Sequence, residues 1–268
     1  MMPSMGANDV TLLEELGANA TAAATVQLLG DWVLRASPEL PFRRSNSVLV
    51  RGRDGAAGLD ERLAVAEDFS RRHRIPLRLQ LSPDLFPVLD AAVAARGLIR
   101  EAPVTVMTAS AASVLGGRGG LPSSPLTCRV STEIEAGWVE AYAAAYDDPG
   151  PGSRTGAYGR LLRTLGPHAV AARVDVDGAP AGVGFGVAER GWTGVFGMAT
   201  TPALQRRGIA TAVLRALAEW ATTQRCPDLY LQVEDGNEGA IVLYEKAGFQ
   251  PHHGYHYRRR GEREQPRL

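Results

Sequence analysis

Apolar positions recur at helical spacing in two well-separated stretches. In "LDERLAVAEDFSRRHR" they are Leu59, Leu63, Val65, Ala66 and Phe69. In the stretch from Gly208 to about Gln224 they are Ile209, Val213, Leu217 and Trp220, one stripe on a helix that packs on a sheet. Other runs carry the strand pattern. "QLLGDWVLRAS" and "FRRSNSVLVRG", joined by "PELP", predict a hairpin, and "PLRLQL" and "APVTVMTA" predict single strands. "PDLFPVLDAAVAARGL" predicts a helix stopped by Gly97. Further on, "LTCRVSTEI" reads as a strand, and "AGWVEAYAAAY" and "RTGAYGRLLRTLG" as helices. "HAVAARVDVDGAPAGVGFGVAE" reads as a hairpin turning at Asp177-Gly178. "WTGVFGMAT", "DLYLQVE" and a run through "YHYRRR" complete the strands, with the helix "NEGAIVLYEKAG" before the last of them.

Both halves end helix–strand–helix–strand, and the second helix of each closes on a glycine and an apolar residue, "AARGL" and "EKAGF". This order predicts an internal duplication. Between the halves, residues 109–125 are small and rich in Gly and Pro, the composition of a linker. The expected organisation is therefore a first domain over 1–108, a linker over 109–125 and a second domain over 126–268.

Composition narrows the function classes. The formal net charge is zero, so no global field draws the chain to nucleic acid or an acidic membrane. No apolar run reaches the length of a membrane span, and no apolar signal segment opens the chain, so a cytoplasmic protein is expected. Lys246 is the one lysine. Cys128 and Cys226 have neither disulfide-scaffold nor metal spacing. His252, His253 and His256 cluster near the end and are candidates to line an acceptor site, but they lack a metal-type carboxylate or cysteine partner; no metal is expected.

The chemistry concentrates in "GMATTPALQRRGIATAV". A helix start exposes unpaired N–H groups and about half a unit of positive charge. Gly208 and Ala210 keep side chains out of the way there, and Arg206 and Arg207 add two cations. That is the make-up of an anion cradle suited to a pyrophosphate. It lacks GxxxxGK[ST], and Gly182, Gly184 and Gly186 fall inside a strand with no helix after it, so neither a P-loop nor a dinucleotide fingerprint is present. Those three glycines instead predict a bare sheet face for close packing or ligand approach. Asn237 and Tyr244, seven apart, share one helix face. Asn237 suits a cap or a ligand contact, and Tyr244 a core aromatic or a phenol donor.

Gln205, Arg206, Arg207, Gly208, Ile209 and Ala210 follow the pattern [RQ]-x-x-G-x-[GA], and "NEGAIVLYEKAGF" comes after it at the right distance. In both respects the chain resembles the GNAT superfamily of acyl-CoA-dependent N-acetyltransferases over about residues 126–258. The first half resembles a degenerate copy: "GRDGAAG" stands where a cradle belongs, and its later helix has no Asn or Tyr at the ligand positions. The resemblance implies an α+β fold of tandem GNAT-like domains, each a mostly antiparallel sheet with a splayed strand pair, flanked by helices. It implies acetyl-CoA as acyl donor. The backbone of Met198, Ala199 and Thr200 would meet the pantetheine arm, and the loop from Gln205 with the amides of Arg206 to Thr211 would hold the pyrophosphate. Asn237 would touch the arm and Tyr244 would face the sulfur.

The implied reaction is direct attack by a primary amine on the thioester. An alkylammonium must first lose a proton, and Glu234, at the end of its strand, is the candidate base, directly or through water. A backbone N–H near Met198 to Thr200 is the candidate oxyanion donor, and Tyr244 would reprotonate the thiolate. The acceptor is a small-molecule or peptide amine; its identity and the oligomeric state are not legible. A non-catalytic acyl-CoA sensor and a mycothiol- or aminoacyl-type transferase on a paired fold are the alternatives.

Overall fold

The computed structural model describes residues 7–117, 126–145 and 155–260. In chain order it contains α1 (Ala7–Asn19), β1 (Thr25–Leu29), β2 (Trp32–Ala36), β3 (Val48–Val50), α2 (Leu59–Arg72), β4 (Arg78–Leu81), α3 (Pro87–Ala95) and β5 (Leu98–Ser110). The short α4 (Ala111–Gly116) leads to β6 (Cys128–Ser131), α5 (Ala136–Ala145) and α6 (Thr155–Thr164). Then come β7 (Ala169–Val176), β8 (Ala179–Glu189), β9 (Trp192–Thr200), α7 (Ile209–Thr223), β10 (Asp228–Glu234), α8 (Glu238–Lys246) and β11 (Gln250–Arg260). The chain is mixed α/β and divides into two compact units, one of residues 1–104 with 253–268 and one of 105–252.

In the first unit the strand order is β1-β2-β3-β4-β11. β1, β2 and β3 pair antiparallel in turn, β3 and β4 pair parallel, and β11 runs antiparallel to β4, with Tyr257 opposite Gln80. Trp32, Leu34, Val48, Leu79 and Leu81 face a core completed by Leu59, Leu63, Ala66 and Phe69 of α2 and Leu89 and Val93 of α3. Val65, read as part of the α2 stripe, is exposed.

Three local readings need correction. The tight hairpin lies within "QLLGDWVLRAS", between β1 and β2, where Gly30 takes φ +56°. "FRRSN" is loop, not strand. Buried Asn46 holds that loop: its Oδ1 accepts from Ser37 N–H at 2.8 Å, and its Nδ2 donates to the carbonyls of Ser37, Leu40 and Phe42. Lastly, residues 109–116, expected as linker, form the end of β5 and α4. Ser110 caps α4 by accepting from Ser113 N–H, and Arg215 Nη1 donates to the carbonyls of Val114 and Leu115 at its other end. The rest of the expected linker, 118–125, lies outside the described residues.

In the second unit the order is β5-β10-β9-β8-β7-β6. β6 to β9 pair antiparallel in sequence, and β9 and β10 pair parallel. Asp177 and Gly178 both have positive φ, the backbone of the hairpin turn expected there. α7 buries Ile209, Val213, Leu214 and Leu217 against this sheet, each contributing about 1.5–3 kcal/mol. Gly182 and Gly184 of β8 let it come close. A Cβ on Gly184 would stand 2.6 Å from Met198 Sδ and 2.8 Å from Val213 Cγ1. One on Gly182 would stand 2.4 Å from Ile209 Cγ2.

Candidate active site

Two irregularities shape the second unit where β9 ends. The first is a bulge. Val183 pairs with Ala199 but Phe185 with Phe196, so β9 carries one residue more than β8 across this step. Gly197 takes φ +60° there, and a Cβ on it would stand 2.9 Å from the Phe185 ring. Such a bulge bends the strand and re-aims its last residues. The second is a parting of strands. β10 pairs with β9 from Asp228 and Trp192 to Leu231 and Val195, and the register stops there. Met198, Ala199 and Thr200 lie beyond the parting and line a cavity of about 1410 Å³.

The chain then crosses a short turn, Pro202–Leu204, in which Leu204 N–H donates to Thr201 C=O at 2.8 Å. Arg206 and Gly208 take φ +60° and +80°, and Gly208 is the left-handed N-cap of α7. A residue with a Cβ meets a steric penalty in that conformation, which favours glycine at the cap. Among the described residues no side chain caps this helix, and its first backbone bond runs from Ala212 N–H to Gly208 C=O. The preceding amides of Ile209, Ala210 and Thr211 therefore have no intrahelical acceptor. They lie on the wall of the same cavity, together with Gln205, Arg206, Arg207 and Gly208. The chemistry of this wall, an uncapped helix start with two exposed guanidiniums, fits a bound pyrophosphate.

The opposite wall comes from α8. Asn237 is its N-cap, accepting from Ala240 N–H at 3.2 Å. Tyr244 is 8% exposed, belongs to the core around Leu217 and Phe249, and also reaches the cavity. Tyr244 is thus a core aromatic that also lines the cavity. Glu234 is different. It is exposed at the end of β10 and is not among the lining residues; its carbonyl accepts from Asn237 N–H at 2.8 Å.

Sequence reasoning missed Gly239, Ala240, Leu243 and Lys246 of α8, and Leu126 and Val176, all of which line the cavity. The signal for the α8 residues was the helical spacing running from Asn237 through Ala240 to Tyr244. The terminal histidines do not join this wall. His253 bonds Glu14 at 2.9 Å and His256 bonds Asp90 at 2.8 Å, both in the first unit. Alternation along β11 sends their side chains to opposite faces. Among the described residues no three His, Cys, Asp or Glu side chains are grouped to hold a metal ion, and no helix is long and apolar enough to cross a membrane.

Residues 136–249, from α5 to the residue before β11, match the acetyltransferase (GNAT) family. That stretch of the chain is similar to a GNAT acetyltransferase domain. Across nearly the whole chain there is similarity to a Bacillus subtilis (strain 168) protein named as the uncharacterized N-acetyltransferase YobR. The two are 26% identical over 94% of this chain and 98% of that one. Among solved structures, a GCN5-related N-acetyltransferase from Kribbella flavida superposes with a TM-score of 0.73 over 97% of this chain and 98% of its own, at 17% identity. A tandem GNAT protein from the clavulanic acid biosynthesis pathway gives 0.64 over 94% and 89%, at 14% identity. What these structures share with the present chain is the fold, and it extends well beyond the GNAT domain into the first half.

Proposed function

We propose that the protein transfers an acetyl group from acetyl-CoA to a primary amine of a small-molecule or peptide acceptor. One observation carries this reading: the uncapped start of α7 and the parted end of β9 open onto a single cavity. A ligand with an anionic diphosphate and an extended, amide-bearing arm has the chemistry for both walls. The amides of Arg206 to Thr211, with Gln205 beside them, would hold the diphosphate. The backbone of Met198 to Thr200 would bond the arm as an added strand, and Asn237 would touch it from α8. Acetyl-CoA supplies the activated acyl group. Tyr244 would place its phenol O–H near the departing sulfur as a proton donor. Glu234, off the cavity wall, is proposed to accept the amine's proton through water.

The test is calorimetric. Gly208→Glu puts a Cβ on a left-handed residue and an anion in the cradle, and should weaken acetyl-CoA binding by tenfold or more, about 1.4 kcal/mol. Unchanged affinity rejects the site. Thiol release with a panel of amines then separates an enzyme from a sensor: tight binding with no release for any amine favours the sensor.

A further inference from the structure

α8 brings two of its faces to the cavity. Ala240 and Tyr244 lie on the side packed into the core. Gly239, Val242 and Lys246 follow one another at i, i+3 and i+7, and the last two lie about 160° round the helix from Tyr244. All three are exposed, and all three line the cavity. The groups of acetyl-CoA assigned above, the diphosphate, the arm and the sulfur, use none of them.

The three residues have a common chemistry. Val242 is 45% exposed. One valine in water is ordinary, but this one stands on a cavity wall. Gly239 is the second residue of α8, and glycine is a poor helix former. Its φ is not positive, and a Cβ there would meet nothing within 4 Å, so neither backbone nor packing calls for glycine. Its effect is to keep that wall low. Lys246 closes the stripe one turn after Val242. A lysine in the last turn suits the helix dipole, but its ammonium has no ion pair or hydrogen bond among the described residues.

The charged residues on the cavity wall are Arg206, Arg207, Lys246 and Glu238. The two arginines flank the start of α7. Glu238 begins α8, about 12 Å along the axis from Lys246. A diphosphate occupies the arginines and the amides between them. Coenzyme A carries a further phosphate on the 3′ oxygen of its ribose, next to an adenine. That end of the molecule needs one more cation and an apolar surface beside it, which is what Lys246 and Val242 supply.

We propose that the outer face of α8 holds the nucleotide end of coenzyme A, with Val242 against the adenine and Lys246 Nζ donating to the 3′-phosphate. The proposal rests on the acetyl-CoA reading of the cavity. It adds the residues that tell coenzyme A from its 3′-dephospho form.

Calorimetry at low ionic strength, where an exposed contact between charges is least screened, reads this directly. Coenzyme A should bind the full chain about fivefold more tightly, or better, than 3′-dephospho-coenzyme A. Lys246→Met should bring coenzyme A down to the affinity of the dephospho form and leave that form within about twofold. Val242→Ser should weaken both by about threefold or more. Equal affinities in the unaltered protein, or a preference that survives Lys246→Met, overturn the proposal; the acetyl-CoA reading then still stands if Gly208→Glu weakens both ligands. Binding of neither ligand overturns both readings. The single lysine gives a second readout, because an amine-acylating reagent can label Nζ at Lys246 alone. At equal occupancy, coenzyme A should protect Lys246 more than the dephospho form does, as mapped by mass spectrometry. Equal labelling under the two ligands overturns the contact.

Discussion

Tyr244 shows how much a single residue can be asked to do. Its ring centroid lies 5.9 Å from that of Phe249, and the residue also lines the cavity. Tyr244→Phe keeps the ring and removes only the hydroxyl. If that hydroxyl protonates the leaving sulfur, turnover should fall at least tenfold, with acetyl-CoA affinity within about twofold. Thiol-release kinetics alongside calorimetry would check this, and an unchanged rate leaves Tyr244 as core alone. The first unit offers a second residue-scale outcome. Burial pushes the His256 ring below its ordinary value of 6.5 despite the bond to Asp90. The cause is visible: Nε2 meets Asp90, while Nδ1 is buried with no acceptor among the described residues for a second proton. Burial also pushes Asp90 upward, but bonds from Arg258 and His256 outweigh it and hold the carboxyl below 3.8. Both folded values lie under the unfolded ones, so both groups lose stability on acidification, His256 from about pH 6.5 downward and Asp90 below about 3.8. His256→Gln should therefore flatten the fall in melting temperature between about pH 7 and pH 5, with little change below about pH 4.

α7 and β8 form a matched pair of elements. The helix brings Ile209, Val213 and Leu217 down onto Gly182, Gly184 and Gly186, where a valine or leucine would not fit. Gly184→Val must displace Met198 and Val213, at about 1–3 kcal/mol in overpacking. It should also disturb acetyl-CoA binding, because Met198 lines the cavity. A glycine that served only as a flexible strand residue would give neither effect; thermal melts and calorimetry on the variant distinguish the cases. This pairing was legible in the sequence as a helical stripe and a strand of alternating glycines. So was the bare start of α7, because a glycine just before the helical stripe leaves a local signature. The loop over residues 37–46 was not legible. Its path depends on buried Asn46 reaching four backbone groups, a tertiary choice that no hydrophobic period encodes. α4 was hidden for a similar reason. Its small residues read as linker, and the guanidinium that closes its end comes from Arg215, some hundred residues later.

At the scale of the molecule, chain order and compact units disagree. The matching helix–strand–helix–strand ends predict a duplication, with domains of 1–108 and 126–268. The compact units are instead 105–252 and 1–104 with 253–268. The reason is strand pairing. His256 to Arg259 of β11 pair with Leu81 to Arg78 of β4, and β10 has β5 as its neighbour. Sequence periodicity says that a stretch is a strand; it does not say which edge the strand joins. The consequence is testable. A fragment of 126–268 keeps the cradle, the parted strands and α8, yet it lacks β4 for the end of β11 and β5 for the edge of β10. It should present unpaired strand edges, with Tyr255 and Tyr257 of β11 stripped of their cover, and should aggregate or melt without a cooperative transition. Adding residues 1–125 as a separate chain should restore a soluble complex, because each fragment then regains the strand it lacks. A monomeric 126–268 that melts cooperatively and binds acetyl-CoA as the full chain does would show that the second half closes its own sheet, and the pairing of β11 with β4 would not be required for the fold.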